Sequence, residues 1–143
     1  VANNYAKQFY KKINSSLDLD KNDLILEIAS NDGTFLKPFV NNGYKQILGI
    51  DPAQNITELA NTNGIKTLNM YWDLDTSNII LNKYGSAELI FARNVVPHVS
   101  DLKNVIDGIR NILSKSGTGI IEFHDAGIIQ KELHYDSIYL IVQ

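Results

Sequence analysis

The sequence contains no cysteine. That absence excludes disulfide scaffolds, cysteine-based zinc sites and thiol nucleophiles together. It also fits a reducing compartment, and a cytoplasmic location is expected. Proline occurs three times and tryptophan once in 143 residues. No apolar run approaches the roughly 20 residues that span a bilayer, so no membrane partner is expected. The first residues, VANNYAKQFYKK, lack a signal-peptide apolar core. A chain that begins on Val1 in place of an initiator Met is expected to be processed or excised. Basic residues are outnumbered 13 to 16 by acidic ones, a net charge of −3, and this balance argues against a nucleic-acid partner. What is present is a core: hydrophobic residues make up 44% of the chain and charged residues 20%, which suits one folded unit over residues 1–143 and argues against disorder.

The pattern alternates short apolar runs with helical periodicity. Ala2, Tyr5, Phe9, Ile13 and Leu17 recur at helical spacing and predict a leading helix within residues 1–20. Leu24–Ile28 reads as a strand buried on both faces. Thr34–Asn42 turns helical and ends on Asn42-Gly43. Gln46–Ile50 is a second strand, closed by Asp51 and Pro52. Ile65–Met70, Ala87–Ala92 and Thr118–Phe123 read as further strands, with helices over Ile79–Tyr84 and over the Val105, Ile109, Ile112, Leu113 face. Ile138–Val142 is strand-like within an ambiguous tail, residues 124–143. This alternation predicts an α/β, doubly wound and mostly parallel sheet with helices on both faces, its core in residues 24–123.

Ligands of such sheets bind beyond the carboxyl ends of the strands. The first such loop is Glu27-Ile28-Ala29-Ser30-Asn31-Asp32-Gly33. Small residues Ala29 and Ser30 let backbone approach a ligand, and Asn31 tolerates left-handed dihedrals. Gly33 is expected to open the next helix, whose amides would face negative charge. Valine at 33 would then block the ligand while leaving the chain folded. Asp51 ends the second strand, where a carboxylate can accept from a ribose diol or cap the helix after Pro52. Glu27 beside the loop would repel a diphosphate and welcome a sulfonium or amino group. The loop is not GxGxxG, which counts against an NAD(P)-binding dehydrogenase, the alternative enzyme reading.

LEIASNDGTFLKPF, GIDPAQN and LIFARNVVPHVSDL, in that order, resemble class I methyltransferases that use S-adenosyl-L-methionine (SAM). Within them they are most similar to the C-methyltransferases of nucleotide-linked deoxysugars. The resemblance implies a Rossmann-like fold, SAM as cofactor, and a small-molecule acceptor such as a nucleotide sugar. It implies that Asp51 holds the ribose hydroxyls, that Pro52 lines the adenosine, and that Trp72 stacks on the adenine. It implies that Asn94 meets the ligand's amino group and that Arg93 pairs with a carboxylate or phosphate. Ala29 stands where the family has its first glycine. His98 reads as a structural or pocket-wall residue before a catalytic one. His124 and Tyr139 are the candidate catalytic residues, and His98, His124 and His134 lack metal-ligand spacing, so no metal is expected.

The tail departs from the family. Leu140-Ile141-Val142 replaces His-Glu-His after Asp136-Ser137-Ile138-Tyr139, and the zinc module and second α/β domain have no counterpart. A sheet incomplete at its C-terminal side, further domains in a larger parent, or a non-catalytic SAM-fold binding module are the implications.

Overall fold

The computed structural model describes residues 2–95, 99–124 and 137–142, and for 123, 124 and 137–142 it describes the backbone alone. Strand β1 (Leu24–Ile28) is buried at all five positions, as a run without polar alternation requires. It pairs in parallel with β2 (Gln46–Asp51) on one side and with β4 (Ala87–Arg93) on the other. β3 (Thr67–Asn69) extends the first side and β5 (Leu113–His124) the second, both in parallel. β6 (Ser137–Val142) adds to β5 in the antiparallel sense. The order is therefore β3-β2-β1-β4-β5-β6. The chain winds outward from β1 to β3 and then crosses back to β4. That reversal opens a crevice between the loops after β1 and β4, where open α/β sheets bind ligands.

Alternate strand residues serve opposite faces. Leu24, Leu26 and Ile28 pack with Ile80 of α4 (Leu74–Tyr84) and with Val105, Ile109 and Ile112 of α5 (Leu102–Ile112). Ile25 packs with Phe9 and Ile13 of α1 (Ala2–Ser16), Phe39 of α2 (Lys37–Asn41) and Ala60 of α3 (Gln54–Thr62). Phe39 and Phe91 stack at 6.1 Å, and Phe9 meets Phe91 at 5.1 Å, so aromatic rings tie α1 and α2 to the middle of the sheet. Among the described residues, no helix is long and apolar enough to cross a membrane.

Several elements differ in extent from the sequence expectation. The helix expected over Thr34–Asn42 is only Lys37–Asn41. Gly33 has φ +78°, Asp32 Oδ1 accepts from the Thr34 amide, and the Leu36 and Lys37 amides both reach the Gly33 carbonyl. Residues 31–36 are consequently successive turns, and Gly33 does not open the helix. β3 is three residues, shorter than Ile65–Met70. α4 begins earlier than Ile79, because Asp73 caps it by accepting from the Thr76 amide at 2.7 Å. Its buried Thr76 and Ser77 hide the periodicity from a hydropathy reading. Leu113 leaves the α5 face and starts β5, whose pairing jumps from Ala87↔Leu113 to Leu89↔Thr118 across a bulge.

Candidate functional site

The loop after β1 is hung from the end of β2. The Ser30 amide donates to the Ile50 carbonyl at 3.1 Å. Asp51 Oδ2 accepts from the Asn31 amide at 3.0 Å, while Oδ1 accepts from the Ala53 amide at 2.9 Å. Asp51 thus ties two loops together while capping the turn beyond Pro52. Among the described residues, three non-glycine residues take positive φ, and all lie on this edge: Ala29 at 53°, Asn31 at 51° and Asn94 at 56°. Such conformations cost about 1–2 kcal/mol for an ordinary residue and gather where a site is shaped. The Asn94 amide is held by the Glu122 carbonyl at 2.8 Å.

These loops enclose a cleft with two lobes, of about 400 and 410 Å³. Ala29, Asn31, Arg93 and Asn94 line both. Glu27 and Ser30 line the first, with Phe35 and Ala2. Asp51, Pro52 and Trp72 line the second, with Met70 and Tyr71. The switch point therefore gathers nine of the ten cofactor-binding residues read from the sequence.

Gly33 is the exception, lining neither lobe. A Cβ there would lie 2.6 Å from Ile65 Cγ2, so the glycine makes room for the core. The expectation that valine at 33 would leave the fold intact is corrected by that contact. Ser30 reaches the cleft, yet its hydroxyl is packed at Gly49, where a Cβ would lie 2.4 Å from it. Trp72 is buried, and its indole N–H donates to the Val105 carbonyl at 3.1 Å. It forms a fixed wall, while the ring open to solvent is the neighbouring Tyr71, 77% exposed. Asp73, the residue after Trp72, is taken by its cap on α4.

Arg93 is not a free clamp for a ligand anion. Its Nε donates to Glu122 Oε2 at 2.7 Å, and its guanidinium carbon lies 3.3 Å from the Phe35 ring centroid. Glu122 is wholly buried and also accepts from the Tyr5 hydroxyl at 2.9 Å. The ion pair is thus internal, closed over by α1. Sequence reasoning placed Tyr5 in a core-facing helix stripe and missed this polar contact, since one hydroxyl leaves no mark on helical periodicity. His124 and Tyr139 sit at one edge of the sheet: His124 pairs with Ser137, and Tyr139 with Glu122. His98 and His134 lie outside the described residues. Among the described residues no cluster of three His, Cys, Asp or Glu could hold a metal.

Glu27 is 3% exposed, and its Oε2 has no hydrogen-bond partner. Burial pushes its carboxyl well above the usual glutamate range, and Asp32, Asp51 and Glu122 push the same way. The nearby Arg93 cation opposes them but is already committed to Glu122. The fold thus favours a protonated Glu27. Unfolded, this group ionises in the ordinary range, so the stabilisation is complete below that range. It is lost as pH rises toward the folded value. Glu27→Gln is expected to melt with the wild type near pH 4 and above it at neutral pH. Thermal melts from pH 4 to 8 check this, and parallel curves for the two proteins would refute it.

An open sheet with a switch-point cleft, an acid ending β2 and a buried acid in β1 defines a Rossmann-like cofactor domain of the methyltransferase class. The sequence matches the family described as "Methyltransferase domain" over residues 3–139, and the chain belongs to that family, whose cofactor is SAM. The chain is 28% identical over 123 residues to the C-methyltransferase NovU of Streptomyces niveus, covering 86% of this chain and 29% of that one. It spans under a third of that relative's length. Its fold is similar to the plantazolicin methyltransferase BpumL, solved with a desmethylPZN analog and SAH (TM-score 0.70, 14% identity, 90% of this chain and 49% of that one). It is also similar to the glycopeptide N-methyltransferase MtfA, solved with SAM (TM-score 0.65, 13% identity, 99% and 65%). A SAM-dependent methyltransferase of Archaeoglobus fulgidus gives a TM-score of 0.69 at 12% identity, over 87% and 54%.

Proposed function

We propose that this chain binds SAM across the switch point and directs its methyl group to a small-molecule acceptor. The observation that carries the reading is Asp51. Its two oxygens are fixed by backbone amides on the wall of the second lobe, and each keeps a lone pair for a ribose hydroxyl. The adenosine end would lie against Pro52, Met70, Tyr71 and Trp72. The amino acid end would lie over Ala29, Asn31 and Asn94, in the lobe that Glu27 also lines. When bound, SAM supplies an electrophilic methyl group on a sulfonium. The chain's own part is orientation, because catalysis of this kind gains mainly from holding an acceptor in line. A carbon acceptor is favoured by the name of NovU, and a nucleotide-linked sugar by the motif resemblance. His124 and Tyr139 remain the candidates for proton removal from such a carbon, on the edge where β5 meets β6.

Asp51→Ala is expected to weaken SAM binding by about 1–3 kcal/mol, since a charge-assisted partner for the diol is removed. Titration calorimetry reads the affinity, and a melting curve controls for the lost loop ties. Unchanged affinity in a folded variant would take Asp51 out of the site.

A further inference from the structure

A second groove, of about 400 Å³, lies between α1 and the turn that leads through α2. Ala6, Tyr10 and Pro38 are among its lining residues, and its charged lining residues are Lys7, Lys11 and Lys37. No Asp or Glu lines it. Lys7 and Lys11 follow Asn3 at helical i, i+4 spacing, so α1 offers one polar stripe to the groove. Lys37 and Asn41 repeat that spacing on the opposite side.

Charge is segregated here against the trend of the chain. The protein has more acids than bases, yet residues 2–16 carry three lysines and no acid, and residues 33–50 carry two lysines and no acid. Among the described residues the ion pairs are Arg93–Glu122 and Lys103–Asp107, so none of the three groove lysines is neutralised by a carboxylate. Like charges around one concavity repel one another, and an anion between them reverses the sign of that interaction. The groove also meets the cofactor cleft: Thr34 lines both it and the first lobe.

We propose that the groove between α1 and α2 binds a phosphate-bearing group, the diphosphate of the acceptor, next to the methyl-donor cleft. This rests on the methyltransferase reading for its purpose and on the lysines for its chemistry. Lysine suits the task, since each ammonium acts as a mobile point charge on a tetrahedral anion. Tyr10 and the amides of Asn3, Asn41 and Asn42 add neutral polar lining to the same groove.

The probe is inorganic pyrophosphate, titrated into the full chain at low ionic strength, with SAM titrated separately. Binding that weakens as salt is added is expected. The variant Lys7→Gln, Lys11→Gln, Lys37→Gln is expected to bind pyrophosphate at least about tenfold more weakly, with SAM affinity unchanged. A nucleoside diphosphate should bind like pyrophosphate, and the bare nucleoside should not. Equal pyrophosphate binding by wild type and variant overturns the proposal. So does a wild type that binds SAM but no pyrophosphate, or a variant that loses both ligands. A wild type that binds pyrophosphate through these lysines but not SAM would keep the anion groove and remove the methyltransferase reading instead.

Discussion

Gly33→Val is expected to destabilise the fold by about 2–5 kcal/mol, lowering the melting temperature by on the order of 10 °C. Two causes add. The φ of +78° is one that a β-branched residue resists, at a cost of about 1–2 kcal/mol. The new Cβ would stand 2.6 Å from Ile65 Cγ2 and 2.8 Å from Ile65 Cβ, and Ile65 is 2% exposed in the core. Neither the turn nor the packed isoleucine can yield cheaply, because interiors are close-packed. Gly33→Ala should lose most of the same stability, as the collision begins at Cβ. Thermal unfolding of both variants is the measurement. A valine variant that melts with the wild type but no longer binds SAM would place this glycine against the cofactor and overturn its assignment to the core.

Glu122→Ala is expected to cost about 3–5 kcal/mol of folding stability, the usual penalty for leaving one partner of a buried ion pair alone. Glu122 is wholly buried, and Arg93, its partner at 2.7 Å, has a side chain only 13% exposed. The alanine variant leaves the guanidinium stacked on Phe35 without its carboxylate, and the Tyr5 hydroxyl loses an acceptor. Replacing Arg93 and Glu122 together by methionine should cost less than Glu122→Ala alone, because no uncompensated charge remains. Denaturant unfolding of the single and double variants tests this. If the double variant is the less stable of the two, the pair itself, and not the orphaned charge, is what holds β4 to β5. The position of Arg93 also bears on ligand binding. Arg93 lines both lobes of the cleft, so its bond to Glu122 fixes the guanidinium in the wall that a ligand would meet.

The apolar runs of the strands and their spacing were legible because burial on both faces of a parallel strand leaves a local signature. β1 shows it most plainly, with five residues in a row buried. The site was legible as a neighbourhood for a related reason. Topology sends every residue that follows a strand to the same edge, so naming loops named the cleft. Element ends were harder to read. α4 hides Thr76 and Ser77 in its buried face, and α2 is cut short by turns that Gly33 and Asp32 hold.

Local composition by itself determined the alternating α/β architecture, the loop after β1 and the acid that ends β2. Only the tertiary structure decided what each polar group touches. Gly33 faces Ile65, the Trp72 indole is spent on Val105, and Arg93 belongs to Glu122, 29 residues further along the chain. The physical reason is range. Hydrophobic periodicity is a property of neighbours in sequence, whereas hydrogen bonds, ion pairs and steric room depend on which distant segments the sheet order sets side by side.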